Sequence, residues 1–395
     1  MERNKINLWW GPPRKFSIQF EERKISWLEL FYDLVYVIAI SRITQYLSIH
    51  PSLSGLLDYT YLFIMIFWGW LNGSLHHDIH GSRGLRTNLM TLWQMLIVAA
   101  LVVTLNSPPE TVIFNATIAL MAMQLFITYL WWSVGIYDKA HRRLNRPYTF
   151  CFLVSLALLF LTLFVGPNNV RILFYLSLLL NYLPPFLADK ARRKETTEFK
   201  LSSSMTERLG LFSIILFGEV VLGVINGVGI NTVPGIGTWI NFGLSILIVF
   251  ALWWIFFSMI ADRKCKSGFR TGNLMAITFI PAFMALGVLG ASFAQLFNGY
   301  ENAHWIKTAF GVAIGVFLFA IARETAFLEY PTPYQEKKRS IVLTLVCAGV
   351  FFVLLAISPI HLSLPLYLLT VLGALLAVIA VISKSWLMLE LTKTD

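Results

Sequence analysis

The chain has 395 residues, 57% of them hydrophobic and only 13% charged, with 31 Phe, 13 Trp and a formal net charge of +10. Mean hydropathy is +0.69, and an average soluble domain carries about 25% charged residues, so composition argues against a soluble globular enzyme. Twelve membrane helices of about 20 residues would take about 240 positions and leave the remainder to short connections, with no room for a large extramembrane domain.

Along the chain, residues 1–25 hold Glu21, Glu22, Arg23 and Lys24 and lack an apolar stretch ending in a small-residue cleavage site, so they read as a retained cytoplasmic tail rather than a signal peptide. Apolar runs follow near 26–48, 54–75, 88–106, 111–136, 147–166 and 169–188, then near 207–229, 237–260, 273–297, 304–328, 340–358 and 364–386. The predicted fold class is therefore all-α, a polytopic membrane protein of about twelve helices. It divides into the tail, a first six-helix repeat over 26–188, a basic linker over 189–206 and a second repeat over 207–395.

With the N-terminus inside, twenty-six of the 31 Lys and Arg fall in segments on the cytoplasmic side. The opposite loops, around His50, Pro108, Asn168, Pro234, Glu301 and His361, are short, and only Arg171 lies near one of them. This asymmetry predicts both termini in the cytoplasm and accounts for the basic charge without nucleic acid. Cys151, Cys265 and Cys347 are far apart and form no CxxC, which leaves no disulfide framework.

Four matches in order point to duplication. Arg86-Thr-Asn-Leu-Met90 answers to Arg270-Thr-Gly-Asn-Leu-Met275, Trp68-Gly-Trp70 to Trp253-Trp254, Glu29 to Glu207 and Pro147-Tyr148 to Pro333-Tyr334. Six crossings return the chain to the same side, so such repeats would be parallel.

Ionisable groups inside apolar spans cost about 2.5 to 3.5 kcal/mol each at mid-helix and are the natural functional candidates. The first span carries Glu29, Asp33 and Arg42. Glu29 and Asp33 are four apart, so their carboxylates share a helix face about 6 Å apart along the axis, a plausible proton or cation site. The seventh span carries Glu207, Arg208 and Glu219, with Glu219 about 18 Å of helix rise beyond Glu207. For Asp33 and Glu219, a structural ion pair with Arg42 or Arg323 competes with a transport role, and snorkelling explains Glu29, Glu207 and Arg208 equally well. His304 opens the tenth span and reads as a titratable group or an interfacial anchor.

The segment His76-His-Asp-Ile-His80 follows the second span. His76 and His80 at i, i+4 share a face and, with Asp78, have the residue types of a zinc site, although a solvated helix cap explains them too. No phosphate-binding loop is present, so nothing points to nucleotide chemistry. The GxxxG spacings of Gly223 with Gly227 and Gly311 with Gly315 predict close helix packing, and Pro184-Pro185 and Pro281 mark helix breaks or kinks.

The block Glu29-Leu-Phe-Tyr-Asp-Leu-Val-Tyr-Val-Ile-Ala-Ile40 and the block Glu207-Arg-Leu-Gly-Leu-Phe-Ser-Ile-Ile-Leu-Phe-Gly-Glu219 together resemble the bacterial low temperature requirement protein A family, LtrA. Gln94-Met95, Trp253-Trp254 and His304 extend the resemblance over nearly the whole chain. The acidic stretch associated with the family after the second span is replaced here by Leu75 to His80. The family name describes a growth phenotype in the cold, so the resemblance speaks to identity more than to mechanism. Phe31-Tyr-Asp33 is also similar to the Phe-Ser-Asp opening helix of the endosomal and lysosomal potassium and proton channel family. The second repeat has Leu211 where the first has Asp33, which argues against a pore lined by two identical motifs.

These observations lead to an expected bacterial plasma-membrane protein that moves a small solute or ion, with protons coupled through Asp33 and Glu219. In this reading Glu29 and Glu207 line the cytoplasmic mouth, and Arg42, Arg208 and Arg323 pair with the carboxylates or tune them. A passive potassium or proton channel and a metal-dependent membrane enzyme or accessory protein are the alternatives. No cofactor is implied, and the partners this reading admits are the lipid bilayer, a small solute or cation and a second copy of the chain.

Overall fold

The computed structural model describes residues 13, 25–81, 84–107, 109–139, 142–192, 202–229, 235–261, 263–299, 304–360 and 362–394. Nearly all of the expected tail and residues 193–201 of the 189–206 linker lie outside the described residues, as do Pro108, Pro234, Glu301 and His361.

The described chain is helical: α1 (Trp27–Ile49), α2 (Leu53–His80), α3 (Leu85–Thr104), α4 (Pro109–Tyr137), α5 (Arg142–Leu161), α6 (Pro167–Tyr182), α7 (Pro184–Arg192), α8 (Ser203–Val228), α9 (Ile236–Ile260), α10 (Phe269–Gly299), α11 (His304–Glu324), α12 (Thr332–Ile357) and α13 (Leu364–Thr394). Each expected span coincides with a helix, the sixth with α6 and α7 together. These two are separated at Leu183, because neither Pro184 nor Pro185 has an N–H to continue the helical ladder. Pro281, in contrast, is carried inside α10.

Ten segments among the described residues are long and apolar enough to cross a membrane, rather than twelve. The two that fall short are α1 and α2. Both exceed 20 residues, but α1 carries Glu29, Asp33 and Arg42, and α2 carries Asp58, Asp78 and three histidines. The outer face of α1 is nonetheless apolar. Phe31, Leu34 and Ile38 of α1 are exposed, while Tyr32, Asp33, Tyr36 and Val37 are buried. Leu92, Trp93, Leu96 and Val103 of α3 and Trp239, Ile240, Leu247 and Phe250 of α9 are likewise exposed. Large apolar side chains on the outside of long helices belong in lipid, not water.

Two ends differ from the expected spans for local reasons. The tenth span, expected to reach 328, stops as a helix at Glu324. Residues 325–327 form a turn, and Leu328 makes an antiparallel bridge to Cys265 in which Lys266 N donates to Phe327 O and Glu329 N to Lys264 O. The eleventh starts earlier than expected because Pro333 sits in the first turn of α12, where a missing N–H costs no intrahelical bond.

The chain divides into two compact units. One comprises Met1–Ile43, Leu57–Leu209 and Ser267–Asn273; the other comprises Thr44–Leu56, Gly210–Lys266 and Leu274–Asp395. In the first, α3 packs on α4, α4 on α5, and α5 on α6 and α7. Hydrogen bonds between helices join them: Trp68 Nε1 donates to Asn181 O at 3.0 Å, and the Gln124 and Asn181 amides exchange reciprocal bonds of 2.9 Å. In the second, α11 packs on α12, α12 on α13, and α9 on α13 and α11. Here the predicted glycine packing is realised. A Cβ on Gly223 would lie 2.3 Å from Gly290 O and one on Gly227 2.4 Å from Phe293 O, both on α10. On α11, a Cβ at Gly311 would lie 2.6 Å from the Ala356 Cβ, and one at Gly315 2.7 Å from Val353 Cγ2.

Candidate functional site

The entry of α1 is set by a capping box. Ser26 precedes the helix, and Glu29 Oε2 accepts hydrogen bonds from Ser26 N and Ser26 Oγ at 2.9 Å, while Glu29 N donates back to Ser26 Oγ at 3.3 Å. The Ser-x-x-Glu spacing satisfies exposed N–H groups at the helix start and fixes the Glu29 carboxylate at the inner face of α1, where the residue is 1% exposed.

One turn further on, Asp33 is wholly buried and faces Arg208 near the start of α8. Arg208 Nε donates to Asp33 Oδ2 at 3.2 Å, and Arg208 Nη2 donates to Asp33 Oδ1, so the guanidinium grips the carboxylate as a fork. Trp70 Nε1 of α2 adds a 2.7 Å bond to Asp33 Oδ1. Arg208 Nη1 lies 3.7 Å from Glu29 Oε1, and the guanidinium carbon sits 5.5 Å from the Tyr32 ring centre and 5.7 Å from that of Trp70. Cation–π contact and the two carboxylates thus replace the hydration of a side chain that is 1% exposed.

Among the described residues two carboxylates share one guanidinium, so negative charge exceeds positive by one when both acids are ionised. Beside Glu29 lies His77, whose Nε2 is 3.6 Å from Glu29 Oε1 and whose side chain is 16% exposed. On the inner side lies a neutral layer. Gln94 Nε2 donates to Tyr36 Oη at 3.1 Å and to Gly69 O at 3.3 Å, and Tyr32 Oη donates at 3.4 Å to Gly69 O and Trp70 O. Gly73 permits this approach, since a Cβ there would fall 2.2 Å from Tyr32 Oη and 2.4 Å from Gln94 Nε2.

Beside the cluster is a cavity of about 30 Å³ whose wall includes Gly73, His76, His77, His80, Arg86 and Gln94. His76 and His80 have ring centres 5.6 Å apart, each set edge-on to Trp131. Burial pushes the His76 imidazole well below its ordinary value, with His80, His77 and Arg86 adding to the effect. Asp78, two residues round the helix from His76, accepts a 2.8 Å bond from Ser204 Oγ and so is engaged away from the two imidazoles. Among the described residues no group of three or more His, Cys, Asp or Glu is arranged to hold a metal ion.

A family model described as bacterial low temperature requirement A protein matches residues 24–382, from just before α1 into α13. The chain belongs to this family. No curated protein and no solved structure matches it.

Within this LtrA chain the predicted site residues separate. Glu29, Asp33 and Arg208 come together, and the partner of Asp33 is Arg208 rather than Arg42 or Arg323. Arg42 is exposed on α1. Arg323 is exposed too, with its guanidinium 4.6 Å from the Phe327 ring centre. Glu207 and His304 are exposed, and Glu219 is half-buried on the part of α8 that belongs to the second unit. Sequence reasoning missed Trp70 and His77 as members of the cluster. The Ser26-to-Glu29 spacing was the legible sign that Glu29 is held inward. For Trp70 the only sequence cue was an indole placed in a buried polar helix, where its N–H needs an acceptor.

Proposed function

We propose that this LtrA protein moves a small solute or ion across the bacterial plasma membrane, with both termini cytoplasmic, and that proton exchange at the Glu29, Asp33 and Arg208 cluster is part of the cycle. The observation that carries this reading is a buried pair of carboxylates sharing one guanidinium, with His77 joining Glu29 to a cavity. Two buried carboxylates, a guanidinium and an imidazole in one cluster supply groups that can take up and release a proton or cation. Glu219, half-buried in the second unit, is the second carboxylate of this proposal. The cytoplasmic orientation rests on the asymmetry of basic residues among the loops.

The test is flux in proteoliposomes under separate potassium, sodium and proton gradients, comparing wild type with Asp33→Asn and Glu219→Gln and checking the folding of each. The expected result is flux that Asp33→Asn abolishes in folded protein. Unchanged flux in both variants would overturn the proposal, and flux that follows the ion's own gradient without saturable coupling would favour the channel alternative.

A further inference from the structure

The second unit holds a buried acid that the cluster around Asp33 does not involve. Glu324, the last residue of α11, is 0% exposed. Its Oε2 is buried and has no hydrogen-bond partner among the described residues, while Oε1 is in hydrogen-bond contact with the Thr278 hydroxyl of α10.

Basic groups lie close by, and none of them pairs with this carboxyl group. Arg323, the preceding residue, turns its guanidinium to the Phe327 ring, 4.6 Å from its centre. Lys338 Nζ of α12 donates to Thr325 O and Lys266 Nζ donates to Ala326 O at 2.8 Å, the carbonyls of the two residues that follow Glu324. Arg263 has its guanidinium 5.3 Å from the Tyr330 ring centre. Of the other titratable groups beside the helix end, Cys265 and Tyr330 are buried and Glu329 is exposed.

An ionised carboxylate only accepts hydrogen bonds and offers about four sites for them. Here it would receive one bond, from Thr278, while two ammonium groups bind carbonyls one and two residues away. Proteins avoid a buried charge without a counter-ion by neutralising the group. The Thr278 hydroxyl carries one hydrogen and has three oxygens in reach: Leu274 O at 3.0 Å, Met275 O at 3.1 Å and Glu324 Oε1. When Thr278 donates to its own helix, as threonines inside helices do, the contact with Glu324 closes only if the carboxyl carries the hydrogen and donates it to Thr278 Oγ1. The neutral acid then has its donor satisfied and leaves a single carbonyl oxygen unpaired, which costs less than an unpaired charge.

We infer that Glu324 is a reversible proton-binding site of the second unit, neutral while it donates its proton to Thr278 and releasing that proton at the end of α11, where Lys266 and Lys338 compensate the charge left behind. Arg323 and Lys266 are exposed, so water lies within a residue or two of the acid. The site stands apart from the Asp33 cluster. Its test reads protonation without any flux, so its failure would leave the transport proposal where it is.

The experiment is infrared difference spectroscopy of the full-length protein in lipid nanodiscs, titrated with pH, following the carbonyl stretch of protonated carboxyl groups and its shift in deuterium oxide. Wild type is expected to show a band that is absent from folded Glu324→Gln, disappears as pH rises while the protein stays folded, and returns when the pH is lowered. Thr278→Val keeps the carboxyl but removes its hydrogen-bond acceptor, so the same band is expected to shift. That variant carries the test should Glu324→Gln not fold, and an unmoved band would then overturn the site. The absence of any band that separates wild type from folded Glu324→Gln would overturn it as well. A band that persists up to the pH at which the protein unfolds would overturn reversible exchange and make Glu324 a fixed structural acid.

Discussion

The helices around Asp33 and the helices around Gly223 meet the same requirement, close association inside an apolar solvent, with opposite chemistry. In the first unit the contacts are polar: Arg208 bridges Asp33 and Glu29, Trp70 supports Asp33, and Gln124 and Asn181 pair across helices. In the second, glycines at 223, 227, 311 and 315 let backbones and side chains approach to distances that a Cβ would forbid. Lipid offers no hydrophobic force to drive helices together, so packing of small residues and satisfied polar pairs are the two means available. Small-residue packing has no charge to exchange and serves assembly alone. A buried cluster of carboxylates, guanidinium and imidazole has protons to exchange, which is why the functional reading falls on the first unit.

The comparison can be broken at several points. The largest effect is expected from Arg208→Met, which leaves Asp33 and Glu29 buried without their base; loss of about 3–5 kcal/mol, read as a fall in the thermal midpoint and in the yield of folded protein, is the outcome. Combining it with Asp33→Asn should restore part of that loss, whereas additive losses would show that the two side chains do not act as a pair. Gly223→Leu forces α8 from α10 and is expected to cost about 1–3 kcal/mol, measured by the same unfolding curve; an unaffected protein would mean that the glycine contact is incidental.

Replacing Gln124 alone by Leu should cost about 1–2 kcal/mol, and replacing Gln124 and Asn181 together should cost less than the sum. For His76 the folded value lies below the unfolded one of about 6.5, so its stabilisation is present above that pH and is lost as pH falls below it towards the folded value. Unfolding midpoints recorded between pH 7 and 5 should therefore decline with a slope that flattens in His76→Gln. The smallest effect belongs to Arg171→Ala. Its two bonds of 3.1 Å to Asp58 are half exposed, and a loss of about 0–1 kcal/mol is expected.

Much of this was legible in the sequence, for reasons that differ residue by residue. Helix positions followed from apolar run length, because a membrane leaves backbone groups no partner except their own helix. The packing role of Gly223 and Gly315 followed from spacing alone, since residues four apart lie on one face. Glu29, Asp33 and Arg208 stood out because charge inside an apolar span is costly wherever the span goes. The pairing of Asp33 was not legible. Arg42 is the nearest base on the same helix, yet a separation of nine residues turns it away from the Asp33 face, and the partner came instead from Arg208, 175 residues further along.

The sequence by itself determined an all-helical membrane protein, its family and the side chains that would be expensive to bury. Tertiary structure decided which of them meet. Local periodicity assigns a side chain to a face of its own helix, but which face of which helix it touches depends on packing among segments distant in the chain. That packing brought Trp70 and His77 to the acids of α1, left Arg42, Glu207 and His304 exposed, and opened beside Arg86 a cavity that no motif announces.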